Sequence, residues 1–198
     1  LVAVAACVLV AGTARGAPAQ RPYSYDPVLA TIAQETLWRA AAHHVRVPRA
    51  DVLSVGVRCY RGPEAFADTF RRRFGKSPGH VVAYYAGGRD VNIRHEICVD
   101  ARAFFRGRVT VTTAGAFAVV LHESLHRQGV VNERLTTCYA DESVRWGMIW
   151  YGFDAADALR GRNLAFQYTR LYAPRGYRIG KQSCLRLAKQ RSWLAFAK

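Results

Sequence analysis

The segment His122-Glu123-Ser124-Leu125-His126 sets two imidazoles and a carboxyl group at a spacing that can do chemistry. On a helix, residues four apart share a face, so both imidazoles reach one metal ion. Glu123, rotated by about 100°, points to the open side where a water would lie. The chemistry this trio supports is hydrolysis. A zinc ion lowers the pKa of its water toward about 7 and polarises a scissile carbonyl, while Glu123 acts as general base and passes the proton to the leaving amine. The substrate class predicted is a peptide or protein.

A catalytic zinc site takes a third protein ligand and keeps its fourth position for water. Just beyond Gly129 the chain reads Asn132-Glu133-Arg134-Leu135-Thr136-Thr137-Cys138-Tyr139-Ala140-Asp141-Glu142, the opening of another helix. If that helix packs antiparallel to the first, Glu133 comes level with the two histidines and is the natural ligand; Asp141 and Glu142 remain as alternatives. Cys138 also has ligand chemistry, but a disulfide suits it better in an exported chain. For oxyanion stabilisation the candidates are Tyr139, His95, Arg94 and Arg145, each dependent on the fold bringing it across a cleft.

These residues need a helix, and the sequence supplies one. Thr112-Thr113 can cap it, Phe117, Val120, Leu121 and Leu125 give it a buried face, and Gly129 ends it three residues past His126. Around it the pattern predicts helices from Asp26 as N-cap to about His43, from Pro63 to Phe74, over 98–105, 132–151 and 154–172, and a last one in the tail around Cys184. A polar linker over 20–25 precedes the Asp26 helix, and Val52 to Tyr60 reads as a strand after it. The stretches 80–86 and 90–94 flank Gly87-Gly88-Arg89 as a hairpin. His43-His44 reads as surface, and Trp146, Trp150 and Tyr151 as core. The class predicted is α+β: a single domain over 20–198, with a small antiparallel or mixed sheet beside a mostly helical half.

The two histidines followed by Asn132-Glu133 and Thr136 resemble the gluzincin group of zinc metallopeptidases, whose third ligand is a glutamate in an Asn-Glu-x-x-Ser/Thr segment on the next helix. A closer resemblance is to small, uncharacterised bacterial secreted or membrane-linked proteins of zinc-peptidase type. It runs through Ile97-Cys98-Val99, Leu121 to Gly129, Asn132-Glu133 and Cys138-Tyr139-Ala140, and continues in Tyr172-Ala173-Pro174, Tyr177 and Cys184. The resemblance implies a minimal zincin-like fold, one Zn2+ held by His122, His126 and Glu133, and Glu123 as base. The chain departs from the larger gluzincins in two ways. The spacer from His126 to Glu133 is shorter, and Thr137 stands where those enzymes often place an acidic residue that orients a ligand.

Composition bounds the rest. At 198 residues with 51% apolar side chains, the chain has material for one sizeable core. Residues 1–19, apolar at first and ending in Ala17-Pro18-Ala19, read as an N-terminally clipped signal peptide or a membrane anchor, which makes the protein secreted or envelope-associated. Beyond that leader the cysteines are Cys59, Cys98, Cys138 and Cys184, an even number that predicts two disulfides of undetermined connectivity. The net charge of +15 favours contact with an anionic cell-envelope surface. The arginines are nevertheless scattered, and no nucleic-acid-binding motif accompanies them, so no specific nucleic acid is expected, and the chain is expected to be a monomer. The competing reading is a non-catalytic exported binding module whose metal site is structural or degenerate.

Overall fold

The computed structural model describes residues 21–43, 47–190 and 193; the leader expected over residues 1–19, and His44, lie outside the described residues. In chain order the elements are β1 (Tyr23–Tyr25), α1 (Pro27–Ala42), β2 (Gly56–Tyr60), α2 (Pro63–Phe74), β3 (Ala83–Tyr85), β4 (Asp90–Ile93), α3 (His95–Phe105), α4 (Val111–Arg127), α5 (Glu133–Tyr151), α6 (Ala155–Tyr172) and α7 (Lys181–Gln190). The sheet order is β1-β2-β4-β3. β1 and β3 run antiparallel to their neighbours, while β2 and β4 are parallel. The class is therefore α+β with a mixed sheet, and β3, which closes the expected glycine hairpin, is an edge strand.

The helical half is built around α4. Ala114, Ala116, Phe117, Val120, Leu121 and Leu125 are fully buried, so the helix that carries both histidines is also the core of the domain. α6 crosses it closely. A Cβ at Gly115 would lie 2.0 Å from the Tyr168 ring, so only glycine admits this approach. At the N-terminus of α4 the cap is Thr110, not Thr112 or Thr113. Its hydroxyl accepts from the Thr113 amide while the Thr113 side chain answers the Thr110 amide, a capping box with threonine at its third position.

Two covalent ties fix the remaining elements. Cys59–Cys98 joins β2 to α3, and Cys138–Cys184 joins α5 to α7. In chain-entropy terms, closing loops of 39 and 46 residues restricts the unfolded chain by roughly 4 kcal/mol each. Asp26 supplies a polar tie: it caps α1 through the Leu29 amide, donates its own amide to Val57 in β2, and pairs with Arg102 of α3.

Several local expectations need correction. Tyr23–Tyr25 is a strand rather than a linker, held by pairing with β2. β2 starts at Gly56 rather than Val52, because the backbone of Leu53 is taken by the Gln128 side chain, which both accepts from and donates to it at 2.8 Å. α3 starts at His95, three residues early. Tyr151 is 45% exposed and is no core residue; His43 is exposed as expected, with its ring 4.2 Å from that of Trp146. The tail does form the last helix, anchored by Cys184.

Candidate metal centre and adjoining cavity

The metal-ligand candidates meet because of a turn. α4 ends in a Schellman motif: the Val130 amide bonds to the Leu125 carbonyl and the Gly129 amide to the His126 carbonyl. Gly129 takes φ +95°, a region that side chains avoid. Asn132 then caps α5 through the Leu135 amide, making Glu133 its first residue. The short spacer is therefore just the length of this turn, and it brings Glu133 back over the histidines.

The geometry is tight. His122 Nε2 lies 2.9 Å from Glu133 Oε2, His126 Nε2 lies 3.3 Å from the same oxygen, and the two Nε2 atoms are 3.0 Å apart. Ligand atoms about 2.0–2.1 Å from a tetrahedral zinc stand roughly 3.4 Å from one another, so this triangle is close to the size a metal requires.

The outer nitrogens decide what the inner ones present. His126 Nδ1 donates to the Val130 carbonyl at 2.7 Å, and His122 Nδ1 lies 3.2 Å from the Thr137 hydroxyl. With Nδ1 of both rings serving as donor, a neutral imidazole has its Nε2 lone pair free for a cation, and without a metal ion a proton on Nε2 bonds to Glu133 instead. Three acceptors converging on one point repel unless a proton or a metal ion sits among them, and the group can hold a metal ion. Thr137 thus fixes the His122 ring through its hydroxyl.

The electrostatics agree. Burial opposes ionisation of Glu133, but its bonds to both imidazoles outweigh this and bring its pKa to about 2. Burial likewise opposes charge on His126, yet Glu133, Glu123 and the Val130 carbonyl raise its pKa overall. Glu123 is held above the ordinary carboxyl value by burial, against the pull of the two imidazoles and of the Tyr85 backbone.

The site opens into a cavity of about 670 Å³ between the edge strand and α4, α5 and α6. Ala83 of β3 lines one side, and His122, Glu123, Thr137, Asp141 and Tyr177 line others. Tyr177 stacks on the His122 ring at 5.7 Å, and burial, followed by the charges of Glu133 and Glu123, raises its pKa and keeps its phenol protonated.

Of the expected site residues, the fold unites His122, His126, Glu133 and Glu123. The alternative ligands stand elsewhere: Glu142 pairs with Arg145 at 2.7 Å and Arg162 at 3.5 Å, and Asp141 accepts from Thr169 at 3.1 Å, two turns along α5. Cys138 is in a disulfide. None of Tyr139, His95, Arg94 and Arg145 lines the cavity. Tyr139 is buried in the core, His95 is exposed, Arg94 lies over Phe66, and Arg145 covers Trp146. The polar group beside the candidate metal ligands is instead Tyr177, 44 residues past Glu133 in a 3-10 turn that Pro174 opens. The sequence singled it out only through the resemblance and that proline-bounded turn, and gave it no role.

A scan against protein-family models finds no match to this chain, and searches of the curated proteins and of the solved structures find none either.

Proposed function

We propose that this protein is an exported zinc-dependent peptidase. The observation that carries this reading is the convergence of two imidazole nitrogens and one carboxylate oxygen beside a buried carboxyl group that is not one of the three, at the wall of a cavity. Two nitrogens and one oxygen with one side open are the ligand set of a catalytic zinc site, whereas structural sites use four protein ligands. A metal ion held there supplies Lewis acidity to a carbonyl and acidifies water. The two disulfides suit an oxidising compartment and hence export.

The residues of the chain divide the remaining work. Glu123, with its raised pKa, accepts a proton from water and delivers it to the leaving amine. Tyr177, protonated beside His122, donates a hydrogen bond to the oxyanion as the carbonyl becomes tetrahedral. β3, an edge strand at the cavity wall, offers backbone groups on its open side to an extended peptide.

The decisive experiment measures zinc content and peptide hydrolysis together. Wild type should bind one zinc per chain. Glu123→Gln should keep the zinc and lose hydrolysis by at least ~10²-fold, and Glu133→Ala should lose the zinc. Wild-type activity in Glu123→Gln, or a zinc site with no exchangeable water, would favour the non-catalytic binding module.

A further inference from the structure

Among the described residues five carboxyl groups are buried: Asp26, Glu35, Glu123, Asp141 and Glu142. Arginines neutralise three of them. Arg102 pairs with Asp26, Arg49 with Glu35, and Arg145 and Arg162 with Glu142. Glu123 and Asp141 have no arginine partner, and both line the cavity. Glu123 is accounted for by the reaction proposed above; Asp141 is not.

Asp141 is only 1% exposed. One carboxyl oxygen accepts from Thr169 at 3.1 Å, and among the described residues no donor reaches the other. No basic group acts on it, and its charged neighbour is another acid, Glu142. In a chain with 29 lysines and arginines, neither type is among the described residues that line the cavity, whose acids are Glu123 and Asp141 and whose histidines are His80 and His122, the latter beside Glu133. The surrounding wall suits an aliphatic stem ending in a positive charge. Ala118, Val119 and Ala140 are apolar, and the rings of Tyr168 and Tyr172, 5.0 Å apart, also face the cavity. Long basic side chains lay their methylenes on such surfaces, and aromatic faces attract their heads.

The position also fits. Glu133, Thr137 and Asp141 follow at four-residue intervals on one face of α5. Asp141 therefore lies about 12 Å along the helix from the metal ligand, within reach of a long side chain attached next to the scissile bond.

We propose that this cavity is the subsite for a basic side chain of the bound peptide, and that Asp141 is the residue that selects a lysine or arginine there. The proposal rests on the peptidase reading for the identity of the ligand as a peptide, but the subsite itself can be tested without catalysis.

The test titrates 15N-labelled, chelator-treated protein at pH 8.5, where the Asp141 carboxyl is ionised and lysine still carries its charge, with N-acetyl-lysine methylamide and with its uncharged counterpart N-acetyl-norleucine methylamide, followed by NMR. The lysine compound should bind at least ten-fold more tightly, with shifts centred on Asp141, Thr169 and Ala118. Asp141→Asn, which keeps the acceptor for Thr169, should bring the two affinities together. Equal affinity in wild type, no shifts around Asp141 with the lysine compound, or a preference that survives Asp141→Asn would overturn the proposal. The wild-type comparison needs no variant, so a misfolded Asp141→Asn chain would leave it decisive.

Catalysis separates the two readings. Lysine selectivity in binding without peptide hydrolysis would sink the peptidase and leave the subsite. Hydrolysis with equal kcat/KM for lysine and norleucine at every position would do the reverse.

Discussion

Burial of Asp141 should make the stability of the domain fall as pH rises, and Asp141→Asn isolates the effect. Burial, with a further push from Glu142 and against the Thr169 bond, raises this carboxyl from 3.8 to about 8. In the unfolded chain it ionises near 3.8; in the folded chain it stays protonated until about pH 8. Between those values the native state holds one proton more than the unfolded state, so stability falls with pH by at most about 1.4 kcal/mol per unit. Over the interval to pH 7 the ceiling is ~4 kcal/mol. Asparagine has nearly the same shape, can still accept from Thr169 and does not ionise. The variant should thus match wild type at pH 4 and exceed it progressively toward pH 7. Urea unfolding of both proteins at pH 4, 5.5 and 7, with metal chelated and disulfides intact, reads the difference. A stability difference independent of pH would show that the folded carboxyl titrates normally, and the argument that the cavity leaves it without compensation would fail.

Three further outcomes follow from the site. Thr137→Val removes the partner of His122 Nδ1; at 3.2 Å that bond is long, so the loss belongs at the low end of the usual range, about ten-fold in zinc affinity, read by competition with a fluorescent chelator. Gly129→Ala forces a side chain into φ +95°, which should cost about 1–2 kcal/mol in urea unfolding of the metal-free protein. The same variant should weaken zinc binding, since the Val130 carbonyl that orients His126 sits in that turn; unchanged stability and affinity would refute the role given to the turn. Tyr177→Phe should lower kcat by roughly 10²-fold with little change in zinc content if the phenol donates to the oxyanion.

The site residues were legible in the sequence to the extent that local spacing determines them. The four-residue interval between His122 and His126 follows from helical geometry alone. Glu133 followed from a stop at Gly129 and a new helix opening at Asn132, which the turn and the Asn132 cap bear out. The mixed α+β class and the number of disulfides followed from periodicity and cysteine count. What was missed depends on long-range contact. β1 has only three residues, two of them exposed, and owes its conformation to pairing with β2 rather than to an alternating pattern. The start of β2 was displaced by a side chain 75 positions away. Tyr177 reaches His122 only because α6 returns along α4 and a proline then turns the chain across the cavity. The pairing of Cys138 with Cys184 likewise depends on where α7 docks.

One face of α5 carries much of the site's organisation, and its spacing shows why. Its first residue, Glu133, offers an oxygen to both histidines; one turn on, Thr137 holds His122; one more turn on, Asp141 faces the cavity beside Ala118 of α4. Because the two helices run antiparallel from a common turn, each step along α5 meets a residue one turn earlier on α4. The register of that packing therefore sets the distance from Glu133, the candidate ligand, to Asp141. Cys138–Cys184 fixes α5 one residue past Thr137, and at Gly147 a Cβ would come within 2.5 Å of the Thr36 hydroxyl, which sets its far end against α1. A fold that neutralises three other buried acids with arginine, yet leaves Asp141 without one at a held position on this helix, accepts a stability cost there. Such costs are characteristic of groups retained for a ligand rather than for folding.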